Sequence, residues 1–197
     1  MCGIVGYTGA DEAQGILIEG LGRLEYRGYD SAGVAIEQDG ALDVICRKGK
    51  VSGLAHTLSH FDFTGTCGIG HTRWATHDRP SEAHAHPHTS CAGDIPVVHN
   101  GIIENVAELR EELIGRGHVF KSDTDTEVAA HLVEEAYADT GDLQAAVVHA
   151  AGRLIGAYGL AVVCAHEPGV IVVTRKDSPI VVGRGETLAS ARLKAVE

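Results

Sequence analysis

The second residue of the chain, Cys2, is followed by residues with the apolar and β-branched character of a strand, GIVGY. If Met1 is removed, which a small following side chain permits, Cys2 presents a thiol and a free α-amino group together. The thiolate is a nucleophile, and an α-amine, which titrates at about 7.7–8.0, can accept a proton near neutral pH. One residue could thus supply nucleophile and general base; the alternative is a small apolar residue that starts a strand.

The segment HTRWATH, residues 71–77, opens the longest stretch without a periodic pattern, residues 72–94. Such a long loop in a compact domain is usually functional or disordered. Arg73 offers a rigid fork of N–H donors that suits a carboxylate, although most arginines simply lie at the surface. Trp74, the single tryptophan of the chain, either anchors the core or caps a site.

Two further positions carry groups that could stabilise charge. Asn100 and Gly101 end a predicted strand, and an amide side chain beside a backbone N–H is the donor pair that the oxyanion of an acyl transfer requires. Asn-Gly is equally a common turn. Asp125 follows Thr124 in the first turn of a predicted helix, where a carboxylate either complements the helix dipole or holds an ammonium group.

A histidine-rich segment, AHAHPH, is followed by Cys91 and so places His84, His86, His88 and a thiol close together in the sequence. Their spacing matches no standard zinc pattern, and Pro87 interrupts the run. The glycine pairs of GIGH and GRGE lack the remainder of a nucleotide-binding motif. The sequence therefore predicts neither a metal nor another cofactor.

The composition limits the compartment and the partners. The chain has 197 residues, a size for one domain, and a net charge of −11 with no basic block, which argues against nucleic acid and anionic membranes as partners. Five cysteines without a CxxC pair indicate a reducing compartment. No apolar run approaches the length of a membrane span, and the N-terminus lacks the pattern of a signal peptide. We therefore predict a cytoplasmic protein.

Several elements must position these residues. Strands are predicted at 3–7, 32–37, 42–47, 67–71, 95–99, 158–164, 169–174 and 179–183. Helices are predicted to begin at Asp11, Asn105, Thr124 and Asp142, with capping boxes at the second and third of these and Gly117 ending the second. Strands that pair mostly through hairpins, with two helices running consecutively, favour a mixed or antiparallel sheet arrangement with segregated helices.

Seven segments, taken in order, resemble the class II glutamine amidotransferase family, and within it the glutaminase domains of glucosamine-6-phosphate synthases. The segments are MCGIVGY, LEYRGYDSAG, GHTRWATH, AHPH, VVHNGIIEN, SDTDTEV and GAYGL. The resemblance extends to about Gly183. Purine-pathway amidotransferases and asparagine synthetases share the N-terminal cysteine but differ around the arginine and asparagine segments, so HTRWATH with NGIIEN points to the sugar enzymes.

The resemblance implies an α+β fold, the four-layer αββα sandwich of N-terminal-nucleophile hydrolases with two antiparallel sheets. It implies that Cys2 is the nucleophile with its α-amine as base, and that Asn100 and the Gly101 N–H form the oxyanion hole. The remaining roles implied are binding of the glutamine α-carboxylate by Arg73 and of its α-ammonium by Asp125, pocket lining by Thr76 and His77, gating of an ammonia passage by Trp74, and support of the N-terminal strand by Arg27.

The implied activity is hydrolysis of L-glutamine to glutamate and ammonia through a Cys2 thioester. In the full enzymes of this family the ammonia passes to fructose 6-phosphate on a sugar-isomerase domain, and the full-length enzyme is expected to be a homodimer. Residues 1–197 are expected to be a C-terminally truncated glutaminase domain without that partner domain. Two alternatives stay open: a glutamine-binding regulatory fragment without catalysis, and a glutaminase half that serves another acceptor.

Overall fold

A computed structural model describes residues 2–74, 81–183, 185 and 192–196. The strands are β1 (Gly3–Thr8), β2 (Ser31–Gln38), β3 (Ala41–Lys48), β4 (Cys67–Arg73), β5 (His88–Thr89), β6 (Pro96–Ile103), β7 (Gly156–Val163), β8 (Val170–Lys176) and β9 (Arg192–Val196). The helices are α1 (Ala13–Leu24), α2 (Val51–Leu58), α3 (Val106–Gly115), α4 (Asp125–Thr140) and α5 (Leu143–Arg153), with a 3-10 turn at Glu25–Arg27.

The strands form two sheets. The first has the order β1-β4-β2-β3 and is antiparallel throughout. The second has the order β5-β6-β7-β8-β9, and its pairs are antiparallel except that β9 runs parallel to β8. The prediction of two antiparallel sheets is therefore confirmed, with one parallel strand at the edge of the second.

Three apolar cores separate four layers, which confirms the αββα architecture. Leu17 and Leu21 of α1 pack with Val34 of the first sheet. Between the sheets lie small and branched side chains, among them Ile69 of β4. Helices α3, α4 and α5 cover the outer face of the second sheet, in a core that contains Val128, Leu132, Val147, Leu160 and Val172.

Glycine allows α1 to lie directly on the first sheet. A Cβ on Gly70 of β4 would lie 2.9 Å from the Leu21 side chain of α1. Side chains alternate across a strand, so Ile69, the preceding residue, faces the other sheet. The glycine-rich pattern CGIGH is thus a strand that has only glycines on the side facing α1 and larger side chains on the side facing the second sheet.

The starts of α3, α4 and α5 were predicted at the right places, but the capping contacts differ. Asp142 caps α5 as predicted, accepting a hydrogen bond from the Ala145 N–H at 2.7 Å. Thr124 and Asn105 precede α4 and α3 without side-chain caps, because tertiary partners take their polar groups. Thr124 Oγ1 lies 2.9 Å from His88 Nε2, and Asn105 Nδ2 donates to the Arg153 carbonyl at 2.9 Å.

Other local predictions were wrong. Helix α1 begins at Ala13 after Glu12, and no side chain caps it, so Asp11 is not its cap. Residues 179–183 form no strand despite the β-branched sequence PIVVG, and β9 occupies the position beside β8. Helix α2 and the two-residue strand β5 had no sequence prediction. Among the described residues, no helix is long and apolar enough to cross a bilayer.

Candidate active site

Strand pairing places the Cys2 thiol beside the end of β4. Cys2 immediately precedes β1, whose Gly3 is paired with Thr72. Trp74, the residue after β4, donates its backbone N–H to Cys2 Sγ at 3.3 Å. The thiol is therefore half-buried and held by the main chain at the point where HTRWATH leaves the sheet.

A close backbone contact holds the end of β4 in place beside the thiol. Gly28 follows the 3-10 turn that contains Arg27, and a Cβ on Gly28 would lie 2.7 Å from the Arg73 carbonyl carbon and 2.8 Å from Trp74 N. Nearby, the Asp30 N–H donates to the Arg73 carbonyl at 3.0 Å. The YRGYD segment thus packs against the peptide that contacts the thiol. Residues that follow Arg27 in the chain therefore contact the peptide beside the Cys2 thiol.

The Trp74 ring lies on the surface. It is 42% exposed and meets Tyr29 edge-on, with ring centroids 5.3 Å apart. It is not a core anchor, so the interpretation of Trp74 as a cap or gate stays a prediction.

The Asn100 amide has a fixed orientation. His71 Nε2 lies 3.0 Å from the His99 carbonyl oxygen and 3.0 Å from Asn100 Oδ1. Because the carbonyl can only accept, Nε2 must carry the proton, and the atom of Asn100 that faces it must be the amide oxygen. The amide nitrogen then points the other way and donates to the Cys2 carbonyl at 3.3 Å. Of its two N–H bonds, this contact uses one.

His71 is neutral in this arrangement. Burial lowers its pKa to about 3, against the hydrogen bonds to Asn100 and the His99 carbonyl, which raise it. Its role in holding Asn100 was missed by sequence reasoning, which treated it as one more residue of the β4 strand. The alternation along CGIGH, which turns His71 to the inner face, was the available signal.

Gly101 has a backbone conformation that requires glycine. Its φ is +136°, and a Cβ there would lie 2.0 Å from the Ala157 carbonyl oxygen on β7. Asn100 and Gly101 belong to β6 itself, so the interpretation of Asn-Gly as a simple hairpin turn was wrong. The backbone N–H of Gly101 is thus the next one in the chain after Asn100, whose side-chain amide is oriented by His71.

Asp125 is the first residue of α4 and is held as an anion. Its Oδ2 accepts the Ile103 N–H of β6 at 3.0 Å, and its Oδ1 lies 3.6 Å from His99 Nδ1. Burial raises the pKa of this carboxyl, but the hydrogen bonds from His99 and the backbone outweigh it and keep the pKa below its usual range. The site thus has a carboxylate anchored to the strand that carries Asn100.

Three buried histidines and a threonine connect these groups. The rings of His71 and His86 stack at 4.1 Å, and Thr126 Oγ1 lies 3.2 Å from His86 Nε2 and 3.0 Å from His99 Nδ1. Burial lowers the pKa of His86 well below its usual value. His86 of the AHAHPH segment is therefore a neutral member of a buried side-chain network, and the absence of a metal among His84, His86 and His88 stays a prediction.

Of the remaining predicted site residues, Arg73 is described by the structure and two others are not. Arg73 ends β4, and its positive charge contributes to the lowered pKa values of His71, His86 and His88, for which burial is the main cause. Thr76 and His77 lie outside the described residues. The structure thus places Trp74 and Asn100 in contact with Cys2, with Arg73 and Gly101 next to them in the chain. Asp125 is bonded to Ile103 of the strand that carries Asn100.

A family model described as "Glutamine amidotransferase domain" matches residues 58–177, more than half of the chain. The chain belongs to this family. The resemblance noted from the sequence is confirmed, and it extends to curated relatives. The chain is 52% identical over 186 residues to a glutamine–fructose-6-phosphate aminotransferase (isomerizing) of Pyrococcus horikoshii, and 57% identical over 186 residues to one of Symbiobacterium thermophilum.

These amidotransferase alignments cover 94% of this chain but only 31% and 30% of the two relatives. Among solved structures, the chain is similar to the glutamine phosphoribosylpyrophosphate amidotransferase of B. subtilis, with a TM-score of 0.72, 26% identity, and coverage of 84% of this chain and 35% of that one. A second, titled the allosteric regulatory enzyme of purine biosynthesis, gives a TM-score of 0.73 at 25% identity, covering 83% and 35%. The sandwich is thus that of the glutamine amidotransferases.

Proposed function

We propose that this domain hydrolyses the side-chain amide of L-glutamine, with Cys2 as the nucleophile. The observation that carries the proposal is the Asn100 amide, which is oriented by His71 and donates to the carbonyl of Cys2 itself. A hydrogen-bond donor fixed beside a thiol is what an acyl transfer to sulfur needs.

The reaction follows from these groups. With Met1 removed, the Cys2 α-amine takes the thiol proton through a water, and the thiolate attacks the amide carbon of glutamine. The second N–H of Asn100 and the Gly101 N–H stabilise the oxyanion. When the C–N bond breaks, the α-ammonium returns the proton to the leaving nitrogen as ammonia. Water then hydrolyses the γ-glutamyl thioester, releasing glutamate and the thiol.

The two charged ends of the substrate have matching partners. The Asp125 carboxylate is ionised and anchored to β6 by the Ile103 N–H, and it suits the α-ammonium. The Arg73 guanidinium suits the α-carboxylate because it offers two parallel donors. We place Thr76 and His77 in the same pocket on the strength of the resemblance, and Trp74 at its exit toward an acceptor.

Glutamine–fructose-6-phosphate aminotransferase is the name of relatives of which this chain spans about 30% of the length. We extend the proposal to an acceptor accordingly: ammonia released here serves the conversion of fructose 6-phosphate to glucosamine 6-phosphate by a sugar-isomerase domain. In the whole enzyme we expect a cytoplasmic homodimer.

The test is labelling by a glutamine analogue with an electrophile at the γ position, followed by peptide mapping. We expect modification of Cys2 alone. Burial raises the pKa of Cys46 and Cys67 to about 12, which makes both unreactive. Cys91 is exposed and is the internal control in protein pretreated with a chelator. Labelling of Cys91 in place of Cys2 would contradict the proposal.

Further measurements separate the alternatives. Intact mass shows whether Met1 has been removed, and glutamate release should be lost in Cys2→Ala. Glutamine binding without glutamate release by a chain that begins at Cys2 would favour a regulatory module instead. Transfer of ammonia to fructose 6-phosphate on addition of a sugar-isomerase domain tests the acceptor, and its failure with glutaminase activity intact would refute that part alone.

A further inference from the structure

Four potential metal ligands converge between α4 and two of the connections between elements. Cys91 lies in the connection between β5 and β6, His118 in the connection between α3 and α4, and His131 and Glu134 are three residues apart on α4. One ligand atom from each lies within 4.8 Å of the other three. Helical residues at i and i+3 share a face, which is why the pair on α4 can act together.

The distances match a tetrahedral cation site. Cys91 Sγ lies 3.4 Å from His118 Nδ1 and 3.6 Å from His131 Nδ1, and the two Nδ1 atoms are 3.2 Å apart. Glu134 Oε2 lies 3.1 Å from His118 Nδ1 and 3.2 Å from His131 Nδ1. Zinc bonds of about 2.3 Å to sulfur and about 2.0–2.1 Å to nitrogen or oxygen give tetrahedral edges of about 3.6 Å and about 3.3 Å.

One outer contact prepares His118 to bind a cation. His118 Nε2 lies 3.3 Å from Glu135 Oε1, whereas His131 Nε2 has no hydrogen-bond partner among the described residues, since Glu127 Oε1 is 3.8 Å away. The Glu135 carboxylate favours a proton on His118 Nε2, which leaves the His118 Nδ1 lone pair pointing at His131 Nδ1 and at the Glu134 oxygen. A cation at this point would bind that lone pair together with the Glu134 oxygen, the Cys91 sulfur and His131 Nδ1.

Glu135 is the kind of outer partner that zinc-binding histidines usually have, since a carboxylate on the far nitrogen of His118 fixes the ring and its tautomer. One side of the cluster is buried and the other is open to an entering ion. His131 is 1% exposed, whereas Cys91 is exposed.

We propose that Cys91, His118, His131 and Glu134 bind one Zn²⁺ in a closed, four-coordinate site. A thiolate, two imidazoles and a carboxylate suit Zn²⁺ and disfavour Mg²⁺ and Ca²⁺, which prefer oxygen alone. Four protein ligands leave no open position, so the ion is structural. It ties two loops to α4, the helix whose first residue is Asp125.

This site corrects the sequence-based pairing of candidates. Cys91 was considered with His84, His86 and His88, but its thiol meets histidines 27 and 40 residues further along the chain. Among the described residues no other group of three or more such side chains converges in this way. His86 and His88 instead bond to Thr126 and Thr124.

The test uses the purified chain, stripped with a chelator and then titrated with Zn²⁺ and, separately, with Co²⁺. We expect one equivalent of Zn²⁺ per chain and a rise in Tm of about 5–10 °C at a hundredfold excess over Kd. Co²⁺ should give the strong visible absorption of tetrahedral coordination and a near-ultraviolet sulfur-to-cobalt band.

Cys91→Ala is the test variant because its side chain is exposed and should be removable without unfolding the protein. We expect loss of the sulfur-to-cobalt band and at least about a hundredfold weaker Zn²⁺ binding. His166→Ala is the matched control, since this histidine is exposed and pairs with Asp94 outside the cluster, and it should bind as the unaltered chain does. Weak binding by the unaltered chain, or binding equal in both variants, would overturn the proposal.

Discussion

Replacing His71 by leucine tests whether the Asn100 amide owes its orientation to this one ring. Leucine fills much of the same space but removes the Nε2–H, which donates to Asn100 Oδ1 and to the His99 carbonyl at 3.0 Å each. A neutral hydrogen bond contributes about 0.5–1.5 kcal/mol net. Loss of about 1 kcal/mol of orientational preference lowers the ratio of correctly to incorrectly oriented Asn100 about fivefold.

We therefore expect kcat for glutamate release to fall by up to about fivefold in His71→Leu, with KM little changed. Asn100→Ala should lose about 10²–10³-fold, because it removes the oxyanion donor altogether. His71→Gln is the matched rescue, since its amide nitrogen reaches about as far as Nε2 and can donate to the same oxygens. Its kcat should lie within about threefold of the unaltered chain.

The leucine variant also leaves the buried His99 carbonyl without its donor, which should cost about 1–3 kcal/mol of unfolding free energy. Denaturant titration measures that cost, and titration of the reactive thiol with the glutamine analogue counts folded sites, so that kcat is expressed per site. Unchanged kcat per site in His71→Leu, or a loss as large as that of Asn100→Ala, would refute a purely positioning role.

Two other outcomes follow from charge. Asp125→Asn keeps an acceptor for the Ile103 N–H but loses the anion, so kcat/KM for glutamine should fall about a hundredfold. Asp123, whose side chain is 83% exposed, is the control, and Asp123→Asn should change kcat/KM less than twofold. Equal effects of the two substitutions in steady-state assays would argue against Asp125 as an ammonium partner. Burial lowers the pKa of His71 to about 3, of His88 to about 4 and of His86 well below its usual value. Below about pH 6.5 the unfolded chain therefore binds more protons than the folded chain, so stability falls as the pH is lowered. Urea titrations of metal-free protein should show about 2–4 kcal/mol less stability at pH 5.5 than at pH 7.5. Equal stability at the two pH values would show that these rings are not held neutral.

The strands were largely predictable because alternation and β-branching follow from local chemistry. The helix starts were also predictable, but Thr124 and Asn105 use their polar atoms on partners far along the chain, which local patterns do not contain. The αββα order came from the resemblance and not from periodicity.

The site residues likewise differ in whether local sequence or tertiary packing determines their part in the site. Cys2, Asn100 and Asp125 could be named from motifs, whereas the part of His71 depends on which face of β4 meets β6. The convergence of Cys91 with His118 and His131 could not be predicted, since it depends on how two loops fold against α4.

The hydrogen bond from Asn100 to the Cys2 carbonyl couples the proposed nucleophile to its proposed oxyanion donor. β1 is the first strand in the order β1-β4-β2-β3 and is paired with β4, so opening at the N-terminus separates the thiol from both the Trp74 N–H and the Asn100 amide at once. A partly opened chain then has an ordinary cysteine with no means of stabilising a tetrahedral intermediate. Under the proposed function, incompletely folded protein should therefore not hydrolyse glutamine.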